Sequence, residues 1–174
     1  SFCILYFWKM VCAWNSSWGN KGVSMKNSVE VKNISFSYGK TEILNDLSLD
    51  IKEGEFMVLL GPSGCGKTTL LNCIAGLLDL TDGQIWIEDD NVTWKEPKDR
   101  HIGMVFQSYA LYPSMTVEKN LSFGLRMMGT AKNLINEKIK KAANLLQINE
   151  LLKRKPSQLS GGQRQRVAIG RALV

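Results

Sequence analysis

The chain has 174 residues and a mass of 19.5 kDa, which is enough for one domain with a substantial hydrophobic core. Hydrophobic residues make up 44% and charged residues 22%, which excludes a disordered, highly charged tail. The excess of 22 Lys and Arg over 16 Asp and Glu gives a net charge of +6, which suits anionic ligands. Four cysteines, at positions 3, 12, 65 and 73, lack the spacing of metal ligands or of a disulfide framework and indicate a reducing compartment.

The first fourteen residues are apolar except for Ser1 and Lys9. This run is too short to span a bilayer and lacks the basic start of a secretory signal. An ordinary mixture of polar and apolar residues begins at Met25. We therefore expect residues 1–24 to be an upstream or non-native segment, and a membrane-surface anchor is the alternative.

Alternating apolar residues after Met25 predict antiparallel strands with one solvent-facing side. The alternation runs in one register over 29–31 and in the opposite register over 34–38, so we expect a bulge near Lys32–Asn33. A further alternation over 47–51 predicts a second strand. The continuous apolar run at 55–60 predicts a strand that is buried on both faces.

The C-terminal part is predicted to be mainly helical. Two more short strands are expected at Ile85–Ile87 and 102–106, and a helix is expected over 70–78. Thr116 is a candidate N-cap for a helix through residue 128, and 132–153 has the apolar stripe of an amphipathic helix. The basic residues of 132–155 supply most of the net charge, and a solvated face explains them most simply.

Residues 61–69, with the sequence GPSGCGKTT, match the pattern G-x-x-x-x-G-K-[ST] between a predicted strand and a predicted helix. Glycines allow backbone N–H groups to converge on an anion at the helix N-terminus. Lys67 can then reach the β- and γ-phosphates, and the Thr68 hydroxyl can hold Mg²⁺. The pattern predicts a site for a nucleoside triphosphate.

A second motif, LSGGQ at 159–163, precedes another helical stretch. Ser160 and Gln163 have the spacing of a capping box, which is the simpler explanation. Two glycines in a first helical turn lower helix stability, which is acceptable where another group must approach the backbone closely. A second phosphate-binding helix start therefore suggests a head-to-tail dimer that holds nucleotide between its subunits.

Together these residues resemble the nucleotide-binding subunits of ABC transporters over about 28–174. GPSGCGKTT resembles their Walker A motif, LSGGQ their signature motif, and Gln107 in GMVFQS lies where their Q-loop does. The stretch SYALYPSMTVEKNLSFGLR resembles the ATPases of bacterial sugar importers, such as those for maltose, oligosaccharides or glycerol phosphate. The implied fold class is α/β: a P-loop NTPase core with an N-terminal antiparallel β-subdomain and a helical subdomain at about 108–158.

The resemblance also implies ligands, partners and site residues. ATP and Mg²⁺ are the expected ligands, with Lys67 and Gln107 catalytic and with Thr68 and Gln107 near the metal ion. Tyr38 would stack on adenine, and Ser160–Gln163 would contact the γ-phosphate held by the opposite subunit. The residues expected to bind nucleotide are Tyr38, Gly61, Pro62, Ser63, Gly64, Cys65, Gly66, Lys67, Thr68, Thr69, Ser160, Gly161, Gly162 and Gln163.

The expected partners are a second ATPase subunit and transmembrane permease subunits at the cytoplasmic face of the plasma membrane, and no nucleic acid. The basic face of the helical subdomain could meet acidic lipid or permease loops. The transported solute cannot be inferred, because the other subunits select it.

In the family, a strand ending in Asp-Glu and a switch histidine follow the signature helix, whereas this sequence stops at Val174 with the C-terminal strands missing. Residues 85–90 are expected to form a short hairpin, and His101 is expected to be a surface residue. We therefore expect 25–174 to be a partial ABC ATPase domain that is poorly soluble alone and hydrolyses ATP negligibly. The alternatives are an inactive truncated product that at most binds ATP and a soluble ABC ATPase acting on nucleic acid or ribosomes.

Overall fold

The computed structural model describes residues 3–4 and 27–174, and the chain divides into two compact units, one up to Ile102 and the other Gly103–Val174. The prediction for residues 1–24 falls outside the described residues, apart from the backbone of 3–4. The strands are β1 (Cys3–Ile4), β2 (Asn27–Tyr38), β3 (Thr41–Lys52), β4 (Val58–Leu59), β5 (Asp82–Ile87) and β6 (Asp90–Asn91). The α-helices are α1 (Lys67–Ala75), α2 (Val117–Met127), α3 (Lys132–Leu145) and α4 (Gly161–Leu173), with 3₁₀ turns at Pro97–Asp99, Asn149–Leu151 and Pro156–Gln158.

The first unit is built on an antiparallel sheet with the strand order β3-β2-β5-β6. Val29, Ile34 and Ile85 of the sheet are fully buried in one core with Leu70 and Ile74 of α1. This confirms the antiparallel N-terminal part predicted from the period-two alternation. The β5–β6 pairing also confirms the short hairpin expected at residues 85–90.

The predicted bulge lies in the middle of β2. Val31 pairs with Leu49 and Ile34 pairs with Leu47, so β2 has one more residue than β3 between these two pairs. The extra residue is accommodated at Asn33, whose φ of 49° is in the left-handed region and whose backbone N–H donates to the Ser48 hydroxyl at 2.9 Å. The bulge allows both apolar registers to face the core, because Val31 and Ile34 are both buried.

Two strand predictions are wrong. The apolar run at 55–60 contains only the two-residue strand β4, and Phe56 and Leu60 are 63% and 73% exposed. A strand buried on both faces needs hydrogen-bonded neighbours and a packed layer on each side, and among the described residues only β1 pairs with β4. Residues 102–106 form no strand, since apolar composition alone does not supply a pairing partner.

The second unit is helical. The Thr116 hydroxyl accepts the Lys119 N–H at 3.3 Å, which confirms the predicted N-cap of α2. The core includes Leu121 of α2, Ile139 of α3 and Val167 of α4, so the apolar stripe of α3 is also confirmed. However, α3 ends at Leu145 and not at residue 153, because Gln147 adopts a φ of 54° and the chain turns back on itself.

The segment before α2 is organised by the fully buried side chain of Asn120. Its Oδ1 accepts the Tyr112 N–H at 2.8 Å, and its Nδ2 lies 3.1, 3.2 and 3.0 Å from the carbonyl oxygens of Tyr112, Met115 and Thr116. One amide therefore contacts four backbone groups of residues 112–116. Two of them, the carbonyl oxygens of Tyr112 and Thr116, also accept the N–H groups of Met115 and Asn120 at 3.2 and 2.9 Å.

His101 is exposed, as expected from the sequence. None of the helices in the described part of the chain has the length and apolar character needed to cross a membrane.

Replacing Asn120 should destabilise the second unit. Asn120→Ala removes the side-chain partner of the Tyr112 N–H and of the Met115 carbonyl oxygen and leaves a cavity at a fully buried position, so we expect the free energy of unfolding to fall by about 3 kcal/mol. Urea denaturation followed by circular dichroism measures this change. Asn136→Ala, at an exposed position of α3, is the matched control and should change the free energy by less than about 0.5 kcal/mol. Equal effects of the two substitutions would contradict the role assigned to Asn120.

Candidate functional site

The glycine-rich loop lies between β4 and the N-terminus of α1. The helix begins at Lys67 with Gly66 as its N-cap, and Gly66 has a φ of 89°, in the left-handed region that glycine adopts readily. Glycine has no side chain to accept the first-turn N–H groups, and no acidic residue lies in that turn. The positive end of the helix dipole is therefore not offset by the chain's own capping groups.

The loop is seated against β3. A Cβ atom on Gly66 would lie 3.1 Å from Cδ2 of Leu44 and 3.2 Å from the carbonyl oxygen of Ile43. A Cβ atom on Gly61 would lie 2.7 Å from Sγ of Cys65. The close approach to backbone and the positive φ favour glycine at position 66, whereas a Cβ atom at position 61 would displace the Cys65 side chain. The helix N-terminus is held directly on the sheet.

The ammonium group of Lys67 lies over the loop's own backbone. Its Nζ donates to the carbonyl oxygens of Gly61 at 2.8 Å and Pro62 at 2.6 Å, and it lies 3.2 Å from Sγ of Cys65. The hydrogen bond from Lys67 lowers the pKa of the exposed Cys65 thiol below its usual value. One positive charge and the uncapped start of a helix therefore converge on this loop, which is the arrangement expected of an anion site.

Tyr38 lies at the end of β2 in the same unit. Its ring is 55% exposed and packs edge-on against the buried ring of Phe36, with centroids 4.8 Å apart. Tyr38 pairs with Thr41 at the start of β3, and Ile43, two residues further on, contacts Gly66. A short stretch of β3 thus connects the exposed aromatic ring to the loop.

Arg100, which no sequence pattern distinguishes, contributes to the position of α1. Its side chain is 2% exposed and donates to the carbonyl oxygens of Cys73 at 2.9 Å and Ile74 at 3.0 Å, in the last turn of α1. It also donates to the carbonyl oxygens of Thr93 and Lys95, both at 2.9 Å. An arginine in the polar stretch EPKDRH has no sequence signal that distinguishes it from a surface residue.

The second motif forms the start of α4. The Ser160 hydroxyl accepts the Gln163 N–H at 3.3 Å, and the Gln163 side chain accepts the Ser160 N–H at 2.8 Å, so the predicted capping box is confirmed. Gly161 and Gly162 are exposed, and a Cβ atom on either would meet no atom of the structure within 4 Å. No close packing in the described part of the chain explains why these positions are glycine.

Gln107 is exposed and lies in a segment without regular secondary structure. It lies within a turn in which the Tyr109 N–H bonds to the carbonyl oxygen of Phe106 at 2.9 Å. Arg171 of α4 donates to the carbonyl oxygen of Ala110 at 2.5 Å and lies 5.7 Å from the ring centroid of Tyr112. The segment around Gln107 is therefore tethered to the last turn of α4.

The structure distributes the predicted residues between the two units. Tyr38 and residues 61–69 belong to the first unit, and Gln107 and Ser160–Gln163 belong to the second. No group of three or more His, Cys, Asp or Glu that could hold a metal ion occurs among residues 3–4 and 27–174.

Comparison with known proteins gives a consistent result. Residues 44–174 match the family model described as ABC transporter. The chain is 58% identical over 136 residues to the sn-glycerol-3-phosphate import ATP-binding protein UgpC of Escherichia coli (strain K12). This match covers 78% of the chain but 38% of the relative, so the chain spans well under half of that protein's length.

Two solved structures are similar to this chain. The ATP-binding cassette MJ0796, in a dimeric post-hydrolysis state bound to ADP and Pi, has a TM-score of 0.73 at 33% identity, with coverage of 83% of this chain and 68% of that chain. The protein cbiO1 from Clostridium perfringens, part of the ABC transporter complex cbiONQ, has a TM-score of 0.75 at 29% identity, with coverage of 84% and 61%. These similarities confirm the predicted α/β fold class, a P-loop NTPase core with an antiparallel β-subdomain and a helical subdomain.

The reactivity of Cys65 should depend on Lys67. Because Lys67 lowers the pKa of the Cys65 thiol, Lys67→Ala should shift the pH midpoint of its alkylation upward and slow alkylation near neutral pH. Peptide mass spectrometry after maleimide labelling measures the rate at Cys65 alone.

Two comparisons test the specificity of this effect. Burial raises the pKa of Cys73 to about 11, so Cys73 should remain unlabelled in the folded protein. Lys98→Ala removes an exposed lysine that pairs with Glu96 and should leave the Cys65 profile unchanged. An unchanged profile in Lys67→Ala would show that the contact between Nζ and Sγ does not persist in solution.

Proposed function

Because the chain belongs to the ABC transporter family, we propose that it is the ATP-binding subunit, or a part of it, that powers ABC-type import of a solute. The proposed solute class is a carbohydrate or a glycerol phosphate, which is supported by the similarity to the sn-glycerol-3-phosphate import protein. The proposed location is the cytoplasmic face of the plasma membrane, through binding to permease subunits.

The geometry of the glycine-rich loop is the observation that carries this proposal. An uncapped helix start and the Lys67 ammonium lie together on a loop fixed against β3. Such a site suits a polyphosphate because its oxygens can replace the loop carbonyls as acceptors of the Lys67 hydrogen bonds. Gly61–Thr69 would hold the triphosphate of ATP, and the exposed ring of Tyr38 would stack on the base.

Mg²⁺ fits the same site. The Thr68 side chain is exposed in the first turn of α1, where a hydroxyl oxygen can serve as a hard ligand for this ion. Bound there, the ion would neutralise charge on the phosphates. Gln107, at an exposed position, would contact the ion or orient the attacking water and is assigned with Lys67 to the catalytic group.

We assign the start of α4 to the nucleotide of a second subunit. Ser160, Gly161, Gly162 and Gln163 would contact the γ-phosphate, since the open space over both glycines allows a ligand to approach the helix backbone. The dimeric state of the similar cassette supports a head-to-tail dimer.

The proposed reaction is ATP hydrolysis coupled to transport. The resemblance calls for an Asp-Glu pair and a histidine after the signature helix, and a polypeptide of residues 1–174 ends one residue past α4 and does not contain them. A polypeptide of residues 1–174 alone is therefore proposed to bind ATP with negligible turnover. Robust Mg-ATP hydrolysis by this polypeptide, lost in Lys67→Ala, would refute that part of the proposal.

ATP binding should depend on Lys67. Lys67→Ala removes the only cation that donates to the loop carbonyls among the described residues, so we expect the dissociation constant for Mg-ATP to rise about tenfold or more. Isothermal titration calorimetry measures this constant, and Lys98→Ala is the control. ATP should also protect Cys65 from maleimide, and absence of both effects would refute nucleotide binding at this loop.

Substitution of Gly162 in α4 should change folding stability and dimerisation in opposite directions. Gly162→Ala meets no steric obstacle and should raise the free energy of unfolding by up to about 1 kcal/mol, because alanine favours helix. The added methyl group should nevertheless weaken ATP-dependent dimerisation, measured by analytical ultracentrifugation with a non-hydrolysable ATP analogue.

Gly124→Ala provides the matched control. Gly124 also lies inside a helix with open space around its Cβ position, so the substitution should stabilise the fold similarly and leave dimerisation unchanged. Equal dimerisation of the two variants would refute a role of Gly162 in binding the second subunit's nucleotide.

A further inference from the structure

The charge of the chain is divided very unequally between its two units. Residues 103–174 contain 12 Lys and Arg against 3 acidic residues, all of them glutamate, which gives +9. Residues 1–102 contain 10 Lys and Arg against 13 Asp and Glu, which gives −3. The net charge of +6 is therefore the sum of a strongly basic helical unit and a weakly acidic first unit. The like charges of the helical unit repel one another unless an anionic partner offsets them.

Part of this charge forms one surface, which we call the basic surface: Lys119, Arg126, Lys153, Arg154 and Lys155. All five residues are exposed. Lys119 and Arg126 are seven positions apart on α2, so they lie on the same side of the helix, away from buried Leu121 and Leu125.

Backbone hydrogen bonds bring the triplet 153–155 to the start of the same helix. The Val117 N–H bonds to the carbonyl oxygen of Arg154 at 2.8 Å, and the Glu118 N–H bonds to the carbonyl oxygen of Leu152 at 3.0 Å. These hydrogen bonds therefore fix the backbone of the triplet next to the first turn of α2. Glu118, in the same first turn of α2, offsets part of this positive charge.

The acidic residues of the unit do not neutralise this surface. Glu137 forms an ion pair with Lys141 of α3 at 2.7 Å. Glu118 and Glu150 are the acidic residues that remain in the unit, against five basic residues on this surface alone. The surface therefore keeps a net positive charge that faces solvent.

The residues beside the basic surface indicate the kind of partner. Met127 and Met128, next to Arg126, are 74% and 80% exposed. Flexible apolar side chains beside basic residues suit the boundary between lipid headgroups and acyl chains.

We propose that the basic surface binds the anionic phospholipid headgroups of a membrane. This inference goes beyond the proposed nucleotide and permease interactions, because the surface contains none of the residues assigned to ATP. The helical unit would have its own affinity for the lipid next to the permease, which would favour assembly at the membrane by restricting the diffusion of the subunit.

Vesicle flotation of the full 174-residue chain tests the proposal. The parent should float with phosphatidylglycerol-containing vesicles at low salt, and salt should weaken this binding. Replacing the triplet 153–155 with glutamines should lower the partition coefficient about tenfold or more, since each basic residue near an anionic surface contributes a several-fold factor.

The matched control replaces Lys40, Lys52 and Lys98, three exposed lysines of the first unit, with glutamines. It removes the same charge and keeps the apolar N-terminal segment, so its partition coefficient should remain within about twofold of the parent. Thermal melts establish that each variant is folded. If the triplet variant does not fold, the pair Lys119→Gln and Arg126→Gln tests the same surface and should lower partitioning several-fold.

Three results would overturn the proposal. The first is equal partitioning of the triplet variant and the control, and the second is equal binding of the parent to uncharged phosphatidylcholine vesicles. The third is stronger, competing binding of duplex DNA, which would assign the surface to nucleic acid. Lys67→Ala should partition like the parent, so loss of nucleotide binding and loss of lipid binding are separately measurable.

Discussion

A phosphate-binding helix must leave its first turn uncapped, so other contacts have to hold it in place. Here α1 has nine residues and a glycine N-cap, and such a short helix is marginal in isolation. Three contacts compensate: burial of its apolar face against the sheet, the seating of Gly66 on Ile43 and Leu44, and the bonds of Arg100 to the carbonyl groups of its last turn. The sheet, Gly66 and Arg100 are thus arranged around α1 so that a helix with an uncapped first turn is held in place.

Structural features that depend on neighbouring residues in the chain could be predicted from the sequence. The glycine pattern at 61–69, the capping box of Ser160 and the bulge near Asn33 each depend on residues close together in the chain. Features that depend on distant partners were not predictable in the same way. The strand predicted at 102–106 does not form, and buried Arg100 resembles any surface arginine in the sequence.

The two units have different chemical characters. The first concentrates one ammonium group and one helix terminus at a loop packed on a sheet, so its specificity depends on fixed distances. The basic surface of the second spreads its charge over five exposed side chains, so its interactions depend on summed potential and on salt. Separate parts of the chain thus support two functions. The first unit supports chemistry that needs fixed geometry, and the second supports attraction that tolerates motion.

The buried amide of Asn120 has a consequence for how the protein can diverge. Because this one side chain contacts the backbone of residues 112–116, the shape of that segment depends little on the exposed side chain of Ser114. Pro113 instead favours the turn in which the Met115 N–H bonds to the Tyr112 carbonyl oxygen at 3.2 Å. Position 114 can therefore accumulate substitutions while the segment keeps its path. A single buried residue thus allows an exposed side chain of this loop to vary while the backbone stays the same, so that one fold can contact different neighbouring molecules.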